Sequence, residues 1–342
     1  MEPPVPSLGV VVVAHDRREY LLSAVDSVRS QLSHGSDVEL VVVKNFEDPA
    51  LDQQLEDRRA RRVLEYDPRL GAKLRAGMDA SRSDVLCILE DDDEFAANKL
   101  AIVRSMFRDR PRLGFYHNGF VTIGPDGAPW QPHRLWAKRG FETSDEVSLA
   151  GPLRAARESL RLLGFFPNFN CSSISIRRAM IEPFLTSLPA SGLVADNFLF
   201  LCALASPWEL LADRRALTRV RVHSSNLSPQ GGAVTRGVSG LRSYSEVTRG
   251  GDPSLDTLLN SAPSPALQRL VAASRARDRA VESLRSAEMS RQEAWSELVE
   301  LARLHDTYYA REHRALLPVL GLALVAPALG RAVYAMGKTL GY

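Results

Sequence analysis

The stretch DVLCILEDDDEF, residues 84–95, runs from an apolar segment of strand length into five consecutive carboxylates, Glu90 to Glu94, and returns to an apolar side chain at Phe95. A continuous apolar run of this length fits a strand buried on both faces, as in parallel sheets. Two similar runs precede it, LGVVVV (8–13) and VELVVV (38–43). Between them lie segments of helical period. Leu21, Leu22, Val25, Val28 and Leu32 share one helical face, and GAKLRAGMDAS (71–81) makes a second, shorter helix. This alternation predicts an α/β fold, a Rossmann-like, mostly parallel sheet with flanking helices. Ligands of such sheets bind beyond the carboxyl ends of the strands. Three strand ends are therefore candidate sites: Ala14-His15-Asp16-Arg17, residues 44–48 with Asn45, and the acidic run.

Like charges in a row repel one another unless a cation sits among them or water screens them. A solvated loop accounts for the charge but not for its place at the end of a buried strand. Hard divalent cations such as Mn²⁺ or Mg²⁺ prefer carboxylate oxygens and share them with substrate phosphates, so a metal-diphosphate site is the sharper expectation. The 342 residues, 45% hydrophobic and 25% charged, suffice for one large core or two modest ones. A net charge of +2, with arginines spread along the chain, offers no basic stripe, and no nucleic-acid partner is expected. Cys87, Cys171 and Cys202 show no CxxC spacing, which fits a reducing, cytoplasmic setting without disulfides or a zinc knuckle. The N-terminal apolar run is short, β-branched and interrupted by His15 and Asp16, and reads as a strand and not as a signal peptide.

Beyond residue 110 the pattern loosens. LGFYHNGFVTIGPDGAPW (113–130) reads as a strand and a turn, NFNCSSISIRRAMIEPFL (168–185) as a strand turning helical, and ADNFLFLCALAS (195–206) as a strongly apolar helix. LTRVRVHSSNLS (217–228) reads as a strand leading into a polar loop. Residues 131–165 resist assignment. Residues 229–264 have the composition of a linker. Residues 265–314 form a charged segment in which Leu267, Leu270, Val281, Leu284, Trp295 and Leu298 recur at partial heptad spacing, a helical surface suited to another helix or a second copy of the chain. Residues 315–342 form an apolar segment whose uncharged part, Ala315 to Gly330, would reach about 24 Å as a helix, short of a bilayer core. With Pro318 and Pro327 inside it, a helix lying in or dipping into a membrane surface is expected, and the other reading is a helix packed on the main domain or on a dimer partner.

The ordered series of opening strand, polar turn, second strand, glycine segment and acidic motif ending in KL resembles glycosyltransferase family 2, with the GT-A fold, over roughly residues 8–228. The resemblance implies a GT-A domain at residues 1–228 and a metal-dependent, inverting transfer of a sugar from a nucleotide-diphosphate donor to a hydroxyl of a glycan or lipid-linked acceptor. UDP comes first as the nucleotide, with GDP or dTDP open. By position it places the metal ligand at Asp92, with Asp91 beside it facing ribose or metal, Glu90 in place of the family's first Asp, and Asp93 close by. Asp196, at the head of the apolar helix, corresponds to the family's catalytic base, although an Asp there also suits helix capping. His223 corresponds to a residue approaching the diphosphate or metal, with Ser225, Asn226 and Ser228 in the loop after it. Ala14, His15, Asp16, Arg17, Asn45, Lys73, Asp91 and Asp93 line the nucleotide-sugar side, Lys73 and Arg75 in the glycine segment suiting phosphate contact and a solvated helix face equally. Asn170, Ser172 and Ser173 fall on the acceptor side. Lys44-Asn45 departs from the acidic pair with which many members recognise the base. A peripheral location on the cytoplasmic face of the membrane follows only if the C-terminal helix binds lipid. The rival readings are a sugar nucleotidyltransferase and an inactive GT-A scaffold.

Overall fold

The computed structural model describes residues 5–32, 38–130, 146–149, 167–191, 195–223, 254–261, 265–286, 289–304 and 310–339. The chain opens as β1 (Leu8–Val13), α1 (Leu21–Arg29), β2 (Val38–Lys44), α2 (Pro49–Asp57), β3 (Arg61–Leu64), α3 (Leu70–Ala80) and β4 (Val85–Glu90). The three apolar runs are the strands expected of them, and β1 is buried at every position. Helix α2 and strand β3 add a unit that the apolar pattern does not announce. Asp48 caps α2 by accepting from the Leu51 amide (3.1 Å), and Pro49 follows it.

β1, β2, β3 and β4 are parallel and ordered β3-β2-β1-β4. The chain moves outward from β1 to β3 and then returns to lay β4 on the other side of β1. This reversal opens a crevice at the carboxyl ends of β1 and β4, where register pairs Val13 with Glu90. The acidic run and the His15-Asp16-Arg17 turn are neighbours for that reason.

Side chains alternate across the sheet into two cores. Val10, Val12, Leu40, Val42, Cys87 and Leu89 meet α1 and α4 (Lys99–Asp109) through Leu21, Val25, Val28, Leu100, Val103 and Phe107. Val11, Val13, Val41, Val43, Leu86 and Ile88 meet Leu74 and Met78 of α3. The glycine segment has a packing reason. A Cβ on Gly77 would stand 2.3 Å from Val11 Cγ1, and one on Gly71 would stand 1.9 Å from the Leu188 carbonyl oxygen.

The second half of the sheet is mixed. It is built from β5 (Glu94–Phe95), β6 (Leu113–Ile123), β7 (Glu146–Leu149), β8 (Ile174–Arg177) and β9 (Glu209–Arg221), with the short helix α5 (Arg178–Ile181) and the buried helix α6 (Ala195–Ala205) between β8 and β9. β8 runs antiparallel between β4 and β6, β9 lies parallel to β6, and β5 and β7 both pair antiparallel with β9. The β5 pairing places Glu94 opposite Arg219 and so fastens the far end of the acidic run to β9.

Five helices follow: α7 (Ser254–Ser261), α8 (Pro265–Arg285), α9 (Arg291–Arg303), α10 (Ala310–Val325) and α11 (Pro327–Thr339). Helix α7 lies within the stretch expected to be a linker, because Leu255 and Leu258 are buried in the main core. The charged segment is interrupted after Arg285, and Ser290 with Glu293 forms a capping box that starts α9. Leu267, Leu270 and Leu284 join the core that covers α6, together with Leu316, Leu320 and Ala323 of the apolar segment, while Trp295 is exposed. Among the described residues no helix is long and apolar enough to cross a membrane.

Candidate active site

The turn after β1 is locked to the turn after β2. Asp16 takes a left-handed backbone conformation (φ 56°), which Asp tolerates better than most residues. Its amide donates to Asn45 Oδ1 (2.9 Å), and Asn45 Nδ2 donates to Asp16 Oδ1 (2.8 Å). His15 lies at the mouth, its Nε2 3.5 Å from Asp16 Oδ2, and burial together with the charge of Lys73 holds its pKa below the ordinary value. Lys73 reaches in from α3. Its buried Nζ donates to the Asp67 carbonyl (2.6 Å), and burial lowers its pKa. Lys44 is spent elsewhere, pairing with Asp52 (2.7 Å) and donating to the Phe46 carbonyl (2.7 Å). It lines a cavity of ≈ 490 Å³ with Asp52, Glu56 and Arg62 that includes none of the expected site residues.

Arg17 crosses the crevice. Its Nη2 is 2.7 Å from Asp91 Oδ1, and its Nη1 is 2.8 Å from Asp92 Oδ2 and 2.7 Å from His223 Nε2. The same His223 nitrogen is 3.0 Å from Asp92 Oδ2. A neutral ring nitrogen either accepts from Arg17 or donates to Asp92, and the tautomer decides which. Burial, and then the charge of Asp92, pushes Asp91 up to about 7 and Asp93 up to about 8. Burial followed by Asp93, Asp92 and Asp196 drives Glu90 well above the carboxylate range. Burial and mutual repulsion thus keep protons on the cluster at pH values where exposed carboxylates are ionised.

β9 grips this cluster from the side. Period 2 puts Arg219, Arg221 and His223 on one face. Arg219 Nη1 is 2.9 Å from Glu94 Oε2, and Arg221 Nη2 also pairs with Glu94. The Arg221 amide donates to Asp93 Oδ1 (2.9 Å) and its Nε to the Asp92 carbonyl (2.9 Å), while its guanidinium lies 4.7 Å from the centre of the Tyr20 ring. Backbone contacts of this kind fix the shape of the acidic loop and leave the Asp91 and Asp92 carboxylates facing Arg17.

The floor is made by residues 167–173 and α6. Asp196 stands in the first turn of α6, where the helix dipole favours negative charge. Its Oδ2 accepts from the Asn170 amide (3.0 Å) and its Oδ1 from the Asn197 amide (2.8 Å). Burial outweighs these bonds and lifts Asp196 to about 6. Satisfying a free amide of the first helical turn is part of its work, so structural and chemical roles coexist. Asn170 is itself left-handed (φ 68°). His117, held neutral by burial with a pKa of about 4, meets the Phe169 carbonyl through Nε2 (2.9 Å) and steadies this loop.

Most of the residues singled out in the sequence converge here: Ala14, His15, Asp16, Arg17, Asn45, Lys73, Asp91, Asp92, Asp93, Asp196 and His223. Ser172 and Ser173 sit differently from an acceptor-facing pair, because both are fully buried. Ser172 Oγ accepts from the Glu90 amide (3.0 Å), and the Ser172 carbonyl accepts from Lys99 Nζ (2.5 Å). Ser173 Oγ accepts from Asn170 Nδ2 (3.3 Å). Arg75 pairs with Asp79 on the outer face of α3 (2.6 Å). Ser225, Asn226 and Ser228 lie outside the described residues. Four contributors went unread: Tyr20, Lys99, Arg219 and Arg221. The two arginines had a signal, the alternation R-V-R-V-H aimed at a run of five carboxylates.

Among the described residues no three His, Cys, Asp or Glu side chains stand as a preformed metal site. Arg17 occupies the lone pairs that would form one. The two carboxylates suit Mn²⁺ or Mg²⁺, and the imidazole adds a nitrogen donor that a transition-metal ion such as Mn²⁺ accepts more readily than Mg²⁺. Asp91 Oδ2 is buried without a hydrogen-bond partner, an acceptor still in need of positive charge. The residues therefore fit a divalent cation once Arg17 gives way.

Solved structures share this architecture at low sequence identity. The structure of S. aureus TarS matches with a TM-score of 0.54 at 14% identity, covering 95% of this chain and 54% of that one, so the chain spans about half the length of that relative. TarS 1-349 in complex with UDP-GlcNAc matches with a TM-score of 0.54 at 13% identity over 98% of this chain and 92% of that one, as does its complex with UDP. No curated protein matches the chain. Residues 9–166, just under half of the chain, match the family model described as Glycosyl transferase family 2. That segment, whose carboxyl-end crevice holds the Arg17, Asp91 and Asp92 cluster, is similar to glycosyltransferase family 2.

Proposed function

We propose that the protein is a metal-dependent, inverting glycosyltransferase that moves a sugar from a nucleotide-diphosphate donor to a hydroxyl of a glycan or lipid-linked acceptor. One observation carries this reading: Asp91, Asp92 and His223 converge on a single cation, Arg17, at the strand ends, and the charge of Asp196 reaches the same acidic run at Glu90. Uridine diphosphate is the favoured nucleotide, because structures of the similar fold hold UDP and UDP-GlcNAc. Asp91, Asp92 and His223 would hold the divalent cation, which supplies positive charge to the departing diphosphate. The locked Asp16–Asn45 pair offers a rigid edge for base or ribose, and Lys73 and Arg17 bring positive charge to the phosphates. Asp196 takes the acceptor proton as the acceptor oxygen bonds to the anomeric carbon and the nucleoside diphosphate leaves with the electron pair of the broken C–O bond.

Melting the full chain with a panel of UDP-, GDP- and dTDP-sugars, with Mn²⁺ or with EDTA, tests the donor half. Binding at 100 times Kd stabilises by about 2.7 kcal/mol, a visible shift in melting temperature. The expected result is a metal-dependent shift with UDP-sugars. A folded chain that responds to no nucleotide sugar in the presence of Mn²⁺ overturns the reading.

We infer that the acceptor lies at an anionic membrane surface, a reading supported by the pair α10–α11. While Leu316, Leu320 and Ala323 face the core, Leu322, Val325, Leu329 and Met336 are exposed. From residue 313 onward the sequence contains Arg314, Arg331 and Lys338 and no Asp or Glu. An apolar face on a segment whose charges from residue 313 onward are all positive suits anionic lipid. Deleting this segment would also strip the core, so the cleaner test replaces exposed residues. The variant Leu322→Glu/Val325→Glu is expected to keep its melting temperature and lose about tenfold or more of its binding to phosphatidylglycerol vesicles, since each apolar side chain contributes about 1.5 kcal/mol or more. Unchanged vesicle binding removes the membrane from the proposal.

A further inference from the structure

Arg17 does more than line the donor site. Its guanidinium spans the Oδ1 of Asp91 and the Oδ2 of Asp92 and reaches the Nε2 of His223, all within 2.8 Å. These are the lone pairs that a divalent cation would use, so Arg17 and the metal exclude each other from one set of atoms. The arrangement is also incomplete. Asp91 Oδ2 and Arg17 Nε are both buried and without hydrogen-bond partners, so neither group reaches its full complement while the two are paired. By contrast, Arg221 holds the loop through the Asp92 carbonyl, the Asp93 carboxylate and Glu94, so the loop does not need Arg17 to keep its shape.

We propose that Arg17 is a resident counter-cation that keeps the carboxylates closed to metal until a donor arrives, and that it then turns to the donor diphosphate. The proposal rests on the glycosyltransferase reading of the site. A guanidinium is a planar fork that matches a phosphate as well as it matches a carboxylate. The diphosphate therefore stabilises the arrangement in which Arg17 has left the carboxylates. Metal requires the same arrangement. Two ligands that favour one state bind with positive coupling, and each is weak alone. The protein would accordingly ignore free metal and take it up with the nucleotide.

The test is Mn²⁺ binding to the full chain, measured by electron paramagnetic resonance of free Mn²⁺, with and without UDP. Without nucleotide, Arg17→Gln is expected to bind Mn²⁺ about tenfold more tightly than the wild type, and UDP is expected to tighten Mn²⁺ binding less in the variant than in the wild type. Arg17→Lys keeps the charge without the bidentate fork and is expected to fall between them, which covers the case in which the glutamine variant folds poorly. If both variants bind free Mn²⁺ no better than the wild type, while the wild type with UDP does bind it, the counter-cation role is wrong and the donor-site reading stands. If no form binds Mn²⁺ even with UDP, the metal-site reading fails, and the counter-cation role fails with it.

Discussion

Asp196→Asn is expected to lower the rate of sugar transfer by about 10²- to 10⁴-fold, the range a positioned general base contributes, while leaving donor affinity within a factor of two. The amide keeps the size of the side chain and can still accept a hydrogen bond from Asn170 or Asn197, so the loop and the helix start keep a partner. It cannot take a proton. In the wild type the pH profile of transfer should show an acidic limb near pH 6, because burial lifts the carboxyl to about 6 and only the ionised form acts as a base. Stability should move the opposite way. A carboxyl whose pKa is higher in the folded chain than in the unfolded one binds its proton more tightly when folded. The stability it contributes is therefore greatest at low pH and is lost as pH rises through about 6. At pH 7.5 Asp196→Asn should thus melt at or above the wild-type temperature. A variant that melts lower and keeps its transfer rate would make Asp196 a helix-start residue only.

The parallel half of the sheet and its crevice were legible because buried strands announce themselves as unbroken apolar runs and because the acidic residues follow one of those runs without a gap. Position in such a sheet carries chemical meaning, so Asp91, Asp92 and the turn at Asp16 could be nominated together. What the sequence concealed was pairing across long separations. Arg17 lies 74 residues from Asp91, and Arg221 lies 129 from Asp92, and no local pattern states which cation meets which carboxylate. The serines at 172 and 173 illustrate the converse: a polar side chain in a nominated segment is also what a buried loop needs to satisfy its own amides. The charged helices were legible as helices with an apolar stripe for another helix, but not as to which helix. A partial heptad reports an apolar stripe but not its partner. Leu267, Leu270 and Leu284, with Ala273, Ala276 and Ala280 between them, use that stripe to cover α6 in the same chain.

Asp92→Asn should be the conservative change in the acidic run that most damages metal-dependent transfer. Asp92 Oδ2 is shared between Arg17 (2.8 Å) and His223 (3.0 Å), so this one oxygen joins the β1 turn to the end of β9. The amide leaves the residue's volume and its backbone carbonyl unchanged, and Arg221 binds that carbonyl, so the acidic loop should keep its shape. Folding should survive, with circular dichroism and melting temperature close to those of the wild type. The lost charge reduces the pull on any cation at this point, and removing a preorganised electrostatic group from a buried site costs about 10²- to 10³-fold in rate. Transfer in Mn²⁺ should fall by at least that amount, and the melting shift caused by UDP with Mn²⁺ should shrink toward the shift seen in EDTA. That last comparison gives the prediction its discriminating power: a purely steric role for Asp92 would weaken UDP equally with and without metal. Transfer at the wild-type rate in Asp92→Asn would mean that the acidic run takes no part in the reaction. The order of groups along the strand ends, Arg17 beside Asp91 and Asp92 beside His223, would then be scaffolding around chemistry located elsewhere.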